Sequence, residues 1–183
     1  MFFGRRLNFQ MPPSTIEYSI SITASLAHYF IAQRRAVGYV SAGQAFTVHS
    51  AEKGQRQEAK ILETLAFVNA DGIMSISALV AVQASQLPQG SSVILITPTI
   101  RPDLLIAVED LQRRHLRPVV VLLNAETFGG RSGMDALLLS LRERRVSVCV
   151  IACDADLAQA FSEFPSDLIS QEMRTWRNPA LSR

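Results

Sequence analysis

The residues best placed to do chemistry lie just after two apolar runs. Thr97-Pro98-Thr99-Ile100-Arg101-Pro102-Asp103 follows the run Val93-Ile94-Leu95-Ile96-Thr97 and offers two hydroxyls, a guanidinium and a carboxylate at Thr97, Thr99, Arg101 and Asp103. Thr127-Phe128-Gly129-Gly130-Arg131-Ser132-Gly133 follows the run Val119-Val120-Val121-Leu122-Leu123. Glycines ahead of a helix let backbone N–H groups converge on an anion, so Thr127, Gly129, Gly130 and Arg131 are the best phosphate-loop candidates. The Gly-Lys-Ser/Thr ending of a P-loop and the Gly-x-Gly-x-x-Gly spacing of a dinucleotide loop are both missing, which favours a crossover loop with Ser132 as N-cap.

Other chemistries find less support. Asp103 alone cannot supply the about six oxygen ligands that a hard divalent cation requires, so no metal site is expected. His28, His49 and His115 fall on a helix, an edge strand and a helix end, and no Ser or Cys has an evident base partner. Cys149 and Cys153 sit on one expected strand with Cα atoms roughly 13 Å apart, too far to bridge, and read as buried apolar side chains. Arg113, Arg114 and Arg117, with Arg142, Arg144 and Arg145, gather where two helices end, and cations there suit the helix dipole. No catalytic residue, no cofactor and no enzymatic activity are expected.

These groups need a scaffold that brings the ends of apolar runs together. Both runs are continuous rather than alternating, as strands covered by helices on two faces are. Pro98 ends the first, since proline has no N–H for the ladder. From residue 76 onward strands alternate with helices: helix 75–86, strand 93–97, helix 103–115, strand 118–124, helix 134–144, strand 146–153, and a helix that Asp154 caps and Pro165 stops. That alternation predicts an α/β fold, doubly wound around a mostly parallel sheet, whose ligand crevice lies at the carboxyl ends of the strands.

The front of the chain is organised differently. Ser14-Thr15-Ile16-Glu17 has capping-box spacing and should open a helix to about Gln33, with Ile16, Ile20, Ala24, Ala27 and Ile31 in one stripe and Ile22, Leu26 and Phe30 widening it. Residues 36–41 and 45–49 read as an antiparallel hairpin, its second strand at a sheet edge, followed by a loop at 51–56 and a helix over 57–67. Leu7, Phe9 and Met11 alternate with Asn8 and Gln10 ahead of Pro12-Pro13, the pattern of a short strand.

A chain of 183 residues with 48% hydrophobic content suits one domain, expected over residues 14–164, between an N-terminal segment 1–13 and a tail 165–183. A net charge of +2 argues against nucleic acid as the main partner. No run approaches the roughly 20 apolar residues that span a bilayer, and Arg5 and Arg6 follow Phe2 and Phe3 rather than precede an apolar core, which is not a secretory signal. A cytoplasmic protein without direct membrane insertion is the expectation.

Glu17-Tyr18, Ala24-Ser25-Leu26-Ala27, Ala36-Val37-Gly38-Tyr39, Gly54 with Arg56-Gln57, Ile61-Leu62 with Leu65-Ala66, Leu95-Ile96-Thr97-Pro98 and residues 120–123 carry a resemblance. In that order and spacing they resemble the C-terminal von Willebrand factor A-like domain of a bacterial family of unknown function often encoded beside MoxR-type AAA ATPases. The resemblance spans about residues 14–157 and implies a non-enzymatic interaction module with a protein partner, of which such an ATPase is one candidate. Family members carry N-terminal transmembrane helices and a β-rich segment, so it also implies a fragment, a short paralogue or a gene begun at an internal Met. Metal-binding A domains carry Asp-x-Ser-x-Ser after their first strand and a further acid where Pro98 stands here; neither is present.

The resemblance further implies that the first strand, central in the sheet, is missing or degenerate. Neighbouring strands lie about 4.8 Å apart, so its absence would open a slot of roughly 9.6 Å between the strands at 37–41 and 93–97. Residues 6–11 are the expected filling. Closure of the two flanking strands, or a strand from another chain with self-association as its result, are the other ways to satisfy the exposed backbone. The reading from another class is a small-ligand or nucleotide-binding protein that uses the loops at 97–103 and 127–133.

Overall fold

The structure is a computed structural model that describes residues 14–160 apart from 44, 70, 71, 73, 158 and 159. Among the described residues five α-helices and five strands follow one another in the order α1 (Thr15–Ala32), β1 (Val37–Ala42), β2 (Phe46–Glu52), α2 (Gln55–Leu65), α3 (Ile76–Gln83), β3 (Ser92–Thr97), α4 (Asp103–Arg113), β4 (Arg117–Leu123), α5 (Met134–Glu143) and β5 (Ser147–Ile151). The α/β class is as expected. The expected strand at 6–11 and the tail from 165 lie outside the described residues.

Parallel pairing joins β3 to β4 and β4 to β5, with Leu95 opposite Val120 and Val121 opposite Cys149. The continuous apolar runs are explained by two cores. Leu95, Val120, Leu122 and Val146 face α3, α4 and α5 through Val80, Leu104, Val108, Leu111, Leu137 and Leu141. Val119, Val121, Leu123, Cys149 and Ile151 face α1 through Tyr18, Ile22 and Leu26. Successive side chains of a strand point to opposite faces, so β4 must be apolar at every position from Pro118 to Leu123 to serve both cores.

The hairpin does not continue that sheet as its antiparallel edge: among the described residues β1 and β2 form a separate two-stranded sheet. Its inner face, with Val37 and Tyr39, packs on Ala27, Ile61 and Leu65. Its outer face leaves Phe46 and Val48 exposed. The register slips at Gly38, where a Cβ would stand 3.0 Å from the carbonyl oxygen of His49. Glycine suits that close approach, since any Cβ would push the neighbouring strand outward by a few tenths of an ångström.

Several local expectations are corrected. Ser14 occupies the N-cap of α1 with extended backbone, yet its side chain makes no capping bond; its carbonyl accepts the Tyr18 N–H at 3.2 Å instead. Gly133, not Ser132, caps α5, at φ 118°, a conformation that disfavours any residue with a Cβ. β2 runs on to Glu52 and α2 begins at Gln55, because Gln57 is buried and its amide donates to the carbonyls of Val37 and Ser50, both at 2.8 Å. β5 stops at Ile151, so Cys153 leaves the strand that holds buried Cys149 and sits half-buried in the turn that follows. Asp154 is no helix cap: it holds φ 62° in that turn.

Among the described residues no helix is long and apolar enough to cross a membrane. Three helices end on a non-glycine residue with positive φ: Arg34 (59°), His115 (59°) and Arg145 (55°). An L-residue pays about 1–2 kcal/mol there. His115→Gly should therefore raise unfolding stability by about 0.5–1 kcal/mol after the entropy cost of glycine, read from the midpoint of urea denaturation.

Candidate functional site

Loops from three strands and the start of α1 meet at the carboxyl edge of the parallel sheet. After β3, buried Thr97 turns its Oγ1 to accept the Thr99 N–H at 3.1 Å, and Thr99 Oγ1 accepts the Arg101 N–H at 3.3 Å. These two side-chain turns bend the chain from strand to helix without a glycine. Arg101 is left exposed, and Asp103 opens α4 with Oδ1 buried and without a hydrogen-bond partner.

After β4 the chain makes a 3₁₀ turn at Ala125–Phe128, opened by Asn124, whose side chain accepts the Glu126 N–H at 3.3 Å. Thr127 then ties two strands together: its hydroxyl donates to the Asn124 carbonyl at 2.8 Å and accepts the Cys153 N–H at 2.8 Å. Gly129 donates to Glu126 O at 3.1 Å and Gly130 to Ala125 O at 2.7 Å. Both amides expected to converge on an anion are thus spent inside the turn. Gly129 is required for its φ of 80°, and Gly130 because a Cβ would lie 2.8 Å from the Ala125 oxygen. Arg131 is exposed.

The two loops expected to share a site are neighbours. A Cβ on Gly133 would meet Ile100 Cδ1 at 3.7 Å, and Ile100 and Met134 pack on one core.

Tyr18, Asn124 and Phe128 were not among the expected site residues. Tyr18 is 2% exposed, and its hydroxyl accepts the Asp154 N–H at 2.8 Å. Burial raises the Tyr18 pKa above the usual phenol value, with the bond from Asp154 pulling the other way. Its ring meets Phe128 edge-on at 4.8 Å. A lone tyrosine in an otherwise aliphatic helical stripe, at the spacing Tyr18, Ile22, Leu26, was the available signal.

The histidines stay apart. His28 pairs with Glu58 at 2.7 Å, while His49 bonds Thr64 at 2.7 Å and stacks on Tyr39. Among the described residues no group of three or more His, Cys, Asp or Glu is arranged to hold a metal ion. At the opposite edge, Arg114 pairs with Asp110 at 3.1 Å and Arg144 with Glu109 at 2.9 Å. Arg144 thereby ties α5 to α4.

The carboxyl edge is a hydrogen-bonded rim whose hydroxyls hold loops in place, with Arg101 and Arg131 exposed beside it. Thr127→Val should cost about 0.5–1.5 kcal/mol, because the Cys153 N–H loses its acceptor while the Asn124 carbonyl keeps the Thr127 N–H. Tyr18→Phe should cost about 1 kcal/mol in the same urea titration. Above pH 10 an unfolded chain gives up a phenolic proton that folded Tyr18 keeps, so stability falls as pH rises, and less steeply in Tyr18→Phe. Searches of protein-family models, curated proteins and solved structures find no match to this chain.

Proposed function

We propose that the chain is a non-enzymatic interaction module resembling a von Willebrand factor A-like domain, and that it works in an assembly with another protein, of which a MoxR-type AAA ATPase is one candidate. One observation carries this reading: the rim at the carboxyl edge spends Thr97, Thr99, Thr127 and Tyr18 on backbone groups of its own loops. Side chains fixed in that way hold a surface rigid, and rigid surfaces lose little entropy on docking. Arg101 and Arg131 stand out from the rim, and arginine suits planar, bidentate contact with carboxylates of a protein partner. The helix–hairpin–helix–helix order ahead of two strand–helix units and a further strand is in keeping with the same reading.

Binding to a purified MoxR-type ATPase, followed by calorimetry, tests it directly. Arg101→Glu with Arg131→Glu should weaken binding at least about tenfold, the effect of reversing charges at an interface. Full affinity in the double variant would exclude this surface, and no binding by the unaltered chain would exclude this partner.

A second reading, a small-ligand or nucleotide-binding protein, is favoured by one feature, the partnerless Oδ1 of Asp103 beside the residue 97–103 loop. A thermal-shift series with nucleotides, inorganic phosphate and divalent ions separates the two, because a ligand at 100 times its Kd adds about 2.7 kcal/mol of stability. The interaction module predicts no shift from any of them. Micromolar Mg²⁺ or Mn²⁺ affinity lost in Asp103→Ala would establish the second reading instead.

A further inference from the structure

The net charge of +2 conceals a separation of charge along the parallel sheet. At the amino edge, Arg117 opens β4, while Arg142 and Arg145 stand where α5 turns into β5. The two places are neighbours, because the Gln112 side chain on α4 donates to the Arg144 carbonyl at 3.1 Å. These three arginines are exposed and make no ion pair among the described residues, and Arg113 has only a 4.0 Å contact with Glu109. Of the acids on this side, Glu109 and Asp110 are taken up by Arg144 and Arg114, which leaves Glu143.

The carboxyl edge has the opposite sign. Glu126 follows β4, Asp154 follows β5, and Glu17 and Asp135 stand in the first turns of α1 and α5. All four are exposed and make no ion pair among the described residues. Tyr18 draws their loops together through its bond to Asp154 and its ring contact with Phe128, and Arg101 and Arg131 are the cations beside them. The seven residues of β4 between the two edges span about 20 Å. That is more than about two Debye lengths at physiological salt, so neither edge neutralises the other within one molecule.

Helix dipoles account for part of the pattern, since acids suit helix starts and bases suit helix ends. They do not account for Arg117, which is on a strand, or for the residues with positive φ. Arg34 and Arg145 hold such a backbone just past the ends of α1 and α5, and Asp154 holds one in the turn after β5. Glycine is the favoured residue in that conformation. Each of the three instead brings the charge of its own edge, so stability is given up for charge on both sides of the sheet.

We infer that the amino edge of one copy docks on the carboxyl edge of a second copy, with Arg117, Arg142 and Arg145 against Glu126, Asp135 and Asp154. The planar fork of arginine matches carboxylates, and the complementary carboxylate surface is present on the chain itself. Arg144 keeps Glu109 and Arg114 keeps Asp110, so the ties within the amino edge are undisturbed. The contact is heterologous: each copy retains one edge to offer, and copies add into an open chain or a closed ring. It is independent of the partner proposed above, because its test uses this chain alone.

Sedimentation velocity on the full chain at about 0.1 M and about 1 M salt provides that test, since the Debye length falls from about 10 Å to about 3 Å between them. At the lower salt the average mass should rise with concentration, and at the higher salt it should return to that of one chain. Arg142→Glu with Arg145→Glu should weaken self-association at least about tenfold, as should Glu126→Lys with Asp135→Lys, because like charges then face each other. An equimolar mixture of the two double variants should associate again, since the unaltered edge of one meets the unaltered edge of the other. The salt dependence of the wild type stands even where a variant does not fold. A wild-type chain that stays monomeric at every concentration in the lower salt would overturn the inference. Self-association that survives 1 M salt or both double variants would overturn it in favour of an apolar contact, such as one through exposed Phe46 and Val48. A mixture that stays monomeric would overturn the head-to-tail arrangement.

Discussion

The packing of α1 against two sheets at once is the constraint on which the rest of the structure depends. Among the described residues the hairpin and the parallel sheet share no strand pairing. Their relation is set instead by one helix that gives Ile22 and Leu26 to one core and Ala27 to the other. An 18-residue helix is about 27 Å long, enough to lie along the full length of six-residue strands. A large-to-small change in either stripe would do more than open a cavity, because it would loosen the angle between two sheets.

The same helix builds the carboxyl edge. Its first turn carries Tyr18 into the core, and the phenol oxygen reaches the backbone of Asp154, 136 residues away in the chain. That contact holds a turn in which Asp154 has positive φ, a conformation aspartate tolerates better than most residues with a Cβ. Thr127 fixes the neighbouring turn from the other side by accepting the Cys153 N–H. Two adjacent amides, at Cys153 and Asp154, are thus held by hydroxyls from two different elements. The loop after β5 is positioned by these bonds rather than by its own sequence.

What could be read from the sequence follows the range of the forces involved. Alternation of strand and helix from α3 to β5 was legible because burial on two faces demands apolar residues from Pro118 to Leu123 of β4 and at helical spacing in Leu104, Val108 and Leu111. Boundaries were legible where a residue imposes its own backbone, as Pro98 does after β3. The end of β5 was not, since it depends on a turn fixed from outside by Tyr18 and Thr127. The glycines at 129 and 130 were legible as a turn, but not as a turn that consumes its own amides, because Gly-Gly before a helix has one pattern for both uses. Gln57 was hidden for a related reason. A glutamine in a surface helix reads as solvated until the hairpin carbonyls of Val37 and Ser50 are placed against it, and only then does burial become favourable.

The two edges of the parallel sheet are held by different physics, and this bears on where a partner could dock without loosening the fold. At the amino edge α4 and α5 are joined by the Arg144 ion pair with Glu109 and by the Gln112 bond to the Arg144 carbonyl, all at or near the surface. Pairs of that kind contribute about 0–1 kcal/mol and weaken as salt rises. At the carboxyl edge the holding groups are neutral hydroxyls and backbone amides, and Tyr18 and Thr97 are buried. Ionic strength acts little on such bonds. A partner that drew Arg144 away from Glu109 would remove one surface tie between two helices, whereas one that engaged Arg101 and Arg131 would meet side chains that no described strand or helix depends on. Recognition through charge is therefore compatible with a stable domain at the carboxyl edge and in competition with it where it draws on Arg144 at the amino edge.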